Sequence, residues 1–402
     1  RDTRTSGEMV RQAVIAGLLS SGCRPIDLGV CPVPTVQLAV RERRAHGGIA
    51  ITASHNPAEW NALKFIGEDG LFLGPGPARE LLDIYHQGEY VKVPGPDMRS
   101  VEHMDGALDL HVRTILDAVG PLPTAKRRLR VGLDACNGAG SIVTPRLLSA
   151  LGVDVVSIHA TPDGSFPRPA EPLPENLGAL CDLVRQQRCD IGFAQDMDAD
   201  RLAIVDETGT PIGEDYTLVL AAWRVLSMTP GVVVANLSTT AALDDLAGRF
   251  GCRVIRTKIG EANVTERMRA EKAVIGGEGN GGVIYPRINF GRDSLVGMAL
   301  VLHLLASHGR ALTDLLADLP RYRLVKSKLE CPSNVIPALL RMLKREYESY
   351  PIDTRDGVKV TLPAGWFHVR GSNTEPIVRI YAEARNQKQA DELAKKVAKY
   401  LK

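Results

Sequence analysis

The stretch Arg130-Val-Gly-Leu-Asp134, Asn137-Gly-Ala-Gly140, Thr144-Pro-Arg-Leu-Leu-Ser-Ala-Leu151-Gly152, Asp154-Val-Val-Ser-Ile158 decides the fold. A short apolar strand runs into a glycine-rich turn. A helical segment follows, and a glycine stops it before a second apolar strand. The unit recurs. Gly231-Val-Val-Val-Ala235 opens another copy, with a helix over Thr239 to Phe250 and a return strand over Cys252 to Arg256. An earlier copy places a helix after Thr5-Ser-Gly-Glu8, which reads as a capping box, with Val10, Ala13, Val14, Gly17 and Leu18 on one face. Its return strand is Arg24 to Leu28. Gly22, Gly152 and Gly251 each precede a return strand, where a left-handed residue ends a helix. Crossover helices at this spacing predict sheets that are largely parallel and covered on both faces.

The chain's end differs. Val335 to Tyr347 is amphipathic, and Gly365 to Val369 and Ile377 to Ala382 read as strands around a polar loop. Asn386 caps a last helix whose apolar face carries Ala390, Leu393, Ala394, Val397, Ala398 and Leu401. The expected fold is α/β: three similar mixed-sheet α/β domains, then a small α+β domain. Val93 to Pro96, Gly120 to Pro123 and Leu319-Pro320 are candidate linkers. They divide the chain into 1–118, 119–221, 222–322 and 323–402. Pro162 to Pro174 reads as an ordered excursion within the second domain.

With 402 residues, 44% apolar and 24% charged, the chain can bury sizeable cores. A net charge of +2 gives no general attraction to nucleic acid or an anionic membrane, so neither is an expected partner. No apolar run approaches the roughly 18 residues of a spanning helix. No signal-peptide pattern follows Arg1. Seven dispersed cysteines without a CxxC pair fit reduced thiols, and the expected compartment is the cytoplasm.

Four loops carry chemistry. Gly48 to Ile51 is a strand that ends in Thr52-Ala-Ser54-His55-Asn56-Pro57. A serine after a strand is ordinarily a turn residue. Here His55, Asn56 and Lys64 add a cluster of donors, and no Gly-x-Ser-x-Gly elbow supports a serine hydrolase. Asp196, Asp198 and Asp200 alternate between two strand-like runs. A calcium loop of the EF-hand type would place Glu207 at its twelfth position, but Arg201 stands where that loop needs glycine. Three hard oxygen ligands suit Mg²⁺, and Arg201 helps them stay ionised. Gly276-Gly-Glu278-Gly-Asn280-Gly-Gly282 is not a dinucleotide fingerprint. Its glycines allow close backbone approach to a ligand, and Glu278 and Asn280 can bind sugar hydroxyls. Arg370-Gly-Ser372-Asn373-Thr374, with Arg379, makes a cradle for a phosphate dianion.

In this order the four loops resemble those of the α-D-phosphohexomutase family, and the resemblance runs from Arg1 to Glu383. It implies four domains around a central cleft and an isomerase that moves a phosphoryl group between the 1- and 6-positions of one sugar. It also implies a phosphoserine at Ser54, which supplies a ligand to Mg²⁺ beside the aspartates, and a hexose 1,6-bisphosphate that serves as intermediate and activator. Lys64 or His55 would then transfer the proton, with Lys64 suited if its pKa is lowered. Arg201 would add positive charge. The family's opening Gly-x-Arg-Gly segment is expected to precede Arg1. Glu261 and the Gly-Asn-Gly-Gly form of the third loop look more like archaeal-type phosphoglucosamine mutases than phosphomannomutase/phosphoglucomutase members, which often carry His near 261. A metal-dependent phosphatase with Asp196 as nucleophile and a silent sugar-phosphate binder are the rival classes.

Overall fold

A computed structural model describes residues 1–123, 128–372 and 376–401. They form two compact units. One comprises Arg1–Val225 with Asn280–Thr313, and the other Leu226–Gly279 with Asp314–Lys402.

In the first unit, Arg130–Asp134 is a central strand. Asp154–Ile158 lies parallel on one side and Ile191–Gln195 parallel on the other. Leu202–Asp206 completes the sheet antiparallel to Ile191–Gln195. The last two strands are buried at every position, so both faces are covered, as the unbroken apolar runs require. The helix Gly178–Gln187 covers one face with Leu180, Cys181 and Val184. Ser294–His308 is buried from Ser294 through Leu305, so apolar residues occupy all its sides rather than a stripe. Each fully buried Leu or Ile of this core stabilises the fold by about 1.5–3 kcal/mol.

The N-terminal part of this unit is less regular. Ile26–Asp27 pairs parallel with Glu102–His103, and Gly47–Ile51 pairs antiparallel with Leu63–Gly67. The helix Val33–Glu42 buries Val33 through Val40 beside them. The helix Gly7–Ser20 departs from expectation. Ser6 caps it without a side-chain hydrogen bond, and Glu8 turns instead to Arg1, Arg11 and Gln12. No capping box forms. Ala13 and Gly17 are exposed, and only Gly7 is buried.

The second unit opens with Val233–Asn236, flanked by parallel strands Val254–Thr257 and Ile275–Glu278. Its helix begins at Ala242, later than Thr239, because Asn236 holds Ser238 N–H and the Thr239 hydroxyl in a turn. By contrast, the helix Gly140–Ala150 in the first unit begins before Thr144 and carries Pro145 inside it. Gly22, Gly152 and Gly251 all have positive φ, at 77°, 77° and 66°.

The C-terminal part of the second unit is an antiparallel sheet of five strands, not two. They run in the order Arg323–Glu330, Ile377–Ala384, Gly365–Gly371, Val358–Leu362, Ile352–Asp353. The helices Ile336–Glu346 and Gln387–Ala398 cover it through Leu339, Leu343, Ala394 and Val397. Asn386 caps the last helix by accepting from Gln389 N–H, as the sequence predicts.

Candidate active site

Ser54 follows the strand Gly47–Ile51 with a left-handed backbone, φ 51°, and is 8% exposed. Its hydroxyl donates to Asp196 Oδ2 at 3.1 Å. The loop and the acidic triplet, 142 residues apart in sequence, therefore share one site. Thr52 ties them again, its hydroxyl lying 2.7 Å from Asp2 Oδ2 and 3.3 Å from Asp198 Oδ2.

Backbone donors hold the acidic loop in place. Ala139 N–H, at the start of the helix Gly140–Ala150, donates to Met197 C=O at 2.7 Å. Val33 N–H, at the start of Val33–Glu42, donates to Asp198 C=O at 3.1 Å. Ser294 N–H and Oγ, at the start of Ser294–His308, reach Ala199 C=O. Three helix N-termini thus meet three successive carbonyls, and their positive ends favour anionic charge there. Gly138 has no room for a side chain, since an added Cβ would lie 2.6 Å from Met197 C=O. Asp196 Oδ1 accepts from the N–H groups of Asp200 and Arg201, which closes the turn through Ala199, at φ 55°.

The three carboxylates are each no more than 1% exposed, and one ligand atom from each lies within 4.8 Å of the others. Lys64 Nζ sits 2.7 Å from Asp198 Oδ2 and 3.5 Å from Asp200 Oδ2, and Arg292 Nη2 lies 2.7 Å from Asp200 Oδ2. Burial, then repulsion from Asp198 and Asp200, raises the Asp196 pKa well above the carboxylate range. Burial also opposes ionisation of Asp200, but Arg292, Lys64 and Arg201 outweigh it and hold its pKa low. For Lys64, burial favours the neutral form, yet Asp198 and Asp200 prevail and its pKa rises. The lowered pKa that would suit Lys64 to proton transfer is not found here, because two carboxylates hold its proton. Burial, then Arg201, pushes His55 down to about 4. His55 Nδ1 lies 3.4 Å from Ser54 Oγ.

These residues fit a divalent cation. Asp198 Oδ1 and Asp200 Oδ1 are buried and lack a hydrogen-bond partner among the described residues. The donor set is all oxygen, as a hard cation requires. Arg201 reaches both the acidic loop and a neighbouring carboxylate. Its Nη1 pairs with Glu171 Oε1 at 2.9 Å, and its Nε stays 4.0 Å from Asp200 Oδ1.

Sequence reasoning overlooked Arg292, Glu171 and Arg4. Arg4 lies among the carbonyls of the Ser54 loop, and the recurrence of arginine in Arg1-Asp2-Thr3-Arg4 was the available signal.

The remaining predicted residues divide between the two units. In the first, Asn280 Oδ1 accepts from Gly282 N–H, and Gly281 packs on Leu202. In the second, Glu278 is buried and its Oε1 accepts from Asn236 Nδ2 and Gly260 N–H. Arg370 Nε pairs with Asp356 Oδ1 at 3.1 Å and faces Arg379 across the strand pair Gly365–Gly371 and Ile377–Ala384. Ser372 N–H bonds Ile377 C=O. Asn373 and Thr374 lie outside the described residues.

The chain matches four family descriptions in succession. They are "Phosphoglucomutase/phosphomannomutase, alpha/beta/alpha domain I" over residues 1–92, domain II over 109–209, domain III over 213–322 and the C-terminal domain over 324–400. It is 40% identical to the protein named "Probable phosphoglucosamine mutase" of Methanopyrus kandleri, over 98% of this chain and 87% of that protein. It is 39% identical to the "Phosphoglucomutase/phosphomannomutase" of Thermococcus kodakarensis, over 98% and 86%. A crystal structure of a phosphoglucomutase/phosphomannomutase family protein from Burkholderia thailandensis superimposes with a TM-score of 0.87 at 28% identity, covering 100% of this chain and 87% of that one.

Proposed function

The chain belongs to the phosphoglucomutase/phosphomannomutase family, and from that premise we propose a site-by-site account of how it moves phosphate within a sugar. It is a phosphohexomutase, an isomerase that transfers a phosphoryl group intramolecularly. Its substrate is a small sugar phosphate. Of the two candidate sugars, glucosamine phosphate is the first reading and glucose or mannose phosphate the second. Glu261 and the Asn280-Gly281-Gly282 form of the third loop support the first. The nearly equal identities to relatives of both names leave the choice to assay.

One observation carries the mechanism: Ser54 Oγ donates to Asp196 Oδ2 at 3.1 Å, inside the carboxylate cluster. Ser54 is assigned as the phosphorylated residue. Asp196, Asp198 and Asp200, with a phosphate oxygen of phosphorylated Ser54, would hold Mg²⁺, which when bound would neutralise charge on the transferring group. In the first half-reaction the sugar hydroxyl loses its proton and bonds phosphorus, while the bond from phosphorus to Ser54 Oγ breaks and Oγ takes up a proton. In the second, Ser54 Oγ loses its proton and bonds the other phosphorus of the 1,6-bisphosphate, while the bond from that phosphorus to its sugar oxygen breaks and that oxygen takes up a proton. His55, with Nδ1 at 3.4 Å from Oγ, is the nearer group for both proton movements, while Lys64 is engaged by Asp198. Lys64 and Arg201 add positive charge around the transferring phosphate. Arg370, Ser372, Asn373, Thr374 and Arg379 receive the phosphate that does not react, and Glu278 and Asn280 bind the sugar hydroxyls. A trace of hexose 1,6-bisphosphate primes Ser54.

The working domain boundaries fall at 118, 221 and 322. Among the described residues no helix is long and apolar enough to cross a membrane. Seven dispersed cysteines without a CxxC pair support the reading that the enzyme works in the cytoplasm.

The test is isomerisation of the 1-phosphates of glucosamine, glucose and mannose with Mg²⁺ and a trace of bisphosphate. The expected outcome is the highest kcat/KM with glucosamine 1-phosphate, little release of inorganic phosphate, and no turnover by Ser54→Ala. Full mutase activity in Ser54→Ala would overturn the mechanism, and fast phosphate release would favour a phosphatase.

A further inference from the structure

We propose that Arg4, paired with Asp2, is a positioning residue that holds the Ser54 backbone in its transfer-competent conformation. This rests on Ser54 being the phosphorylated residue. The Arg4 guanidinium and the Asp2 carboxylate are both fully buried. All five guanidinium N–H groups are used, one through Nε and two each through Nη1 and Nη2. Nε donates to Asp2 Oδ2 at 3.0 Å. Nη1 donates to the carbonyls of Pro57 and Trp60 at 2.6 and 2.9 Å. Nη2 donates to those of Ser54 and Asn56, both at 2.7 Å. Phe166 covers the group, with its ring centroid 5.4 Å from the guanidinium carbon.

Ser54 is held at both of its backbone polar groups. Its carbonyl goes to Arg4, and its N–H goes to Thr52 Oγ1 at 2.9 Å, whose hydroxyl lies 2.7 Å from Asp2 Oδ2. A non-glycine residue at φ 51° persists only where its surroundings over-determine it. The buried ion pair supplies that constraint from both sides of one residue. A trans peptide points C=O and N–H in opposite directions. The Ser54 carbonyl, fixed on Arg4, therefore turns the His55 N–H away from the guanidinium. A loop held only by packing would leave the carbonyls of Ser54, Asn56 and Trp60 to find other partners, while Pro57 C=O would keep the N–H of Trp60.

The test uses Arg4→Lys in the full chain. An ammonium keeps the charge but cannot reach four carbonyls in one plane. The expected result is a fall in kcat of about 10²-fold, with KM for the sugar phosphate and Mg²⁺ affinity each changed less than about threefold. Hydrogen exchange should accelerate in peptides covering 52–62 and stay unchanged in 131–134 and 191–195. A kcat within about threefold of wild type, or a loss of kcat without faster exchange in 52–62, would overturn the proposal. If Arg4→Lys does not fold, Asp2→Asn is read the same way, with about a tenfold fall in kcat expected and native kcat and exchange counting against the proposal. Ser54→Ala runs in parallel. Activity in that variant removes the phosphoserine assignment but leaves the loop-exchange result standing.

Discussion

Lys64 Nζ lies 2.7 Å from Oδ2 of Asp198, so an ammonium already stands at the edge of the acidic cluster. Three buried carboxylates with ligand atoms within 4.8 Å of one another require nearby positive charge, and Lys64 shares that task with Arg292 and Arg201. A divalent ion would enter against this positive charge.

Lys64→Met should therefore separate metal affinity from turnover. Coulomb's law at an effective dielectric of 20 gives about 4 kcal/mol for unit charges at 4 Å. Lys64 is about one-fifth exposed, which screens this. We expect Mg²⁺ to bind about tenfold more tightly, roughly 1.4 kcal/mol, while kcat falls by at least about tenfold from lost charge on the transferring phosphate. Calorimetric Mg²⁺ titration beside steady-state kinetics checks both. Weaker Mg²⁺ binding in the variant would show that Lys64 organises the carboxylates rather than competing for them.

Asp196 gives a pH prediction. Its folded pKa is raised, by burial first and then by Asp198 and Asp200. Below the unfolded value of about 4 both states are protonated. Above it the unfolded chain releases a proton that the folded chain keeps, so metal-free stability falls with rising pH until Asp196 ionises. Asp196→Asn retains an Oδ1 acceptor for the N–H groups of Asp200 and Arg201. In EDTA at neutral pH the variant should melt higher than wild type, by about 2–4 °C for each kcal/mol of relieved repulsion. It should also lose most of the Mg²⁺-induced rise in Tm. A lower metal-free Tm for the variant would contradict the raised pKa.

Glu171 pairs with Arg201, whose charge the proposed mechanism places near the transferring phosphate. The pair is 2.9 Å apart, with side-chain exposures of 10% for Arg201 and 36% for Glu171. Such a pair contributes about 0–1 kcal/mol, so Glu171→Gln should tighten sugar-phosphate binding by no more than about fivefold. The change should appear in KM with kcat almost unaltered. A large loss of kcat would give Glu171 a part in the chemistry instead.

His368 gives a second pH prediction, for the second unit. It is buried, with Nδ1 2.7 Å from Ser238 Oγ and Nε2 bonded to Asp356 C=O, and burial pushes its pKa down to about 4. Its contribution is full above the unfolded value of about 6.5. It is lost as pH falls from there toward 4, because the unfolded chain takes up the proton first. The loss is roughly 3 kcal/mol at most. Melting curves from pH 7.5 to 4.5 should therefore fall more steeply for wild type than for His368→Gln. Parallel curves would exclude His368 as the titrating group.

The repeating unit was legible because its signals are local. Glycines after each helix, and apolar runs of strand length, need no distant partner to be read. The boundary at Ala242 was not, since Asn236 draws Ser238 and Thr239 into a turn by a choice that helical periodicity does not encode. The edge strand Arg323–Glu330 was missed because its alternating half-buried pattern, rich in Lys and Arg, lacks an apolar run. In the site, Ser54 and the aspartates stood out as clusters of chemistry-bearing residues. Arg4 and Arg292 did not, because an arginine's role depends on what lies across the fold. The pairing of Arg201 with Glu171 is a contact between loops 30 residues apart.

Gly281 separates two explanations for the glycine-rich third loop, ligand approach and backbone packing. Its φ is 84°, and an added Cβ would lie 2.3 Å from Leu202 C=O and 3.0 Å from Leu202 N. Leu202 N–H also donates to Gly281 C=O at 3.1 Å. The close approach is thus to the strand that leaves the acidic loop. Gly281→Ala must strain a left-handed backbone, at about 1–2 kcal/mol, and displace the neighbour of Arg201, so a total loss of about 2–4 kcal/mol is expected. Gly17, on the open helix Gly7–Ser20, is the control. Nothing lies within 4 Å of its added Cβ, and Gly17→Ala should stabilise by about 0.5–1 kcal/mol. Chemical denaturation of both variants gives the comparison. If Gly281→Ala proves as stable as wild type while binding sugar phosphate poorly, the glycine serves the ligand and the contact with Leu202 is incidental.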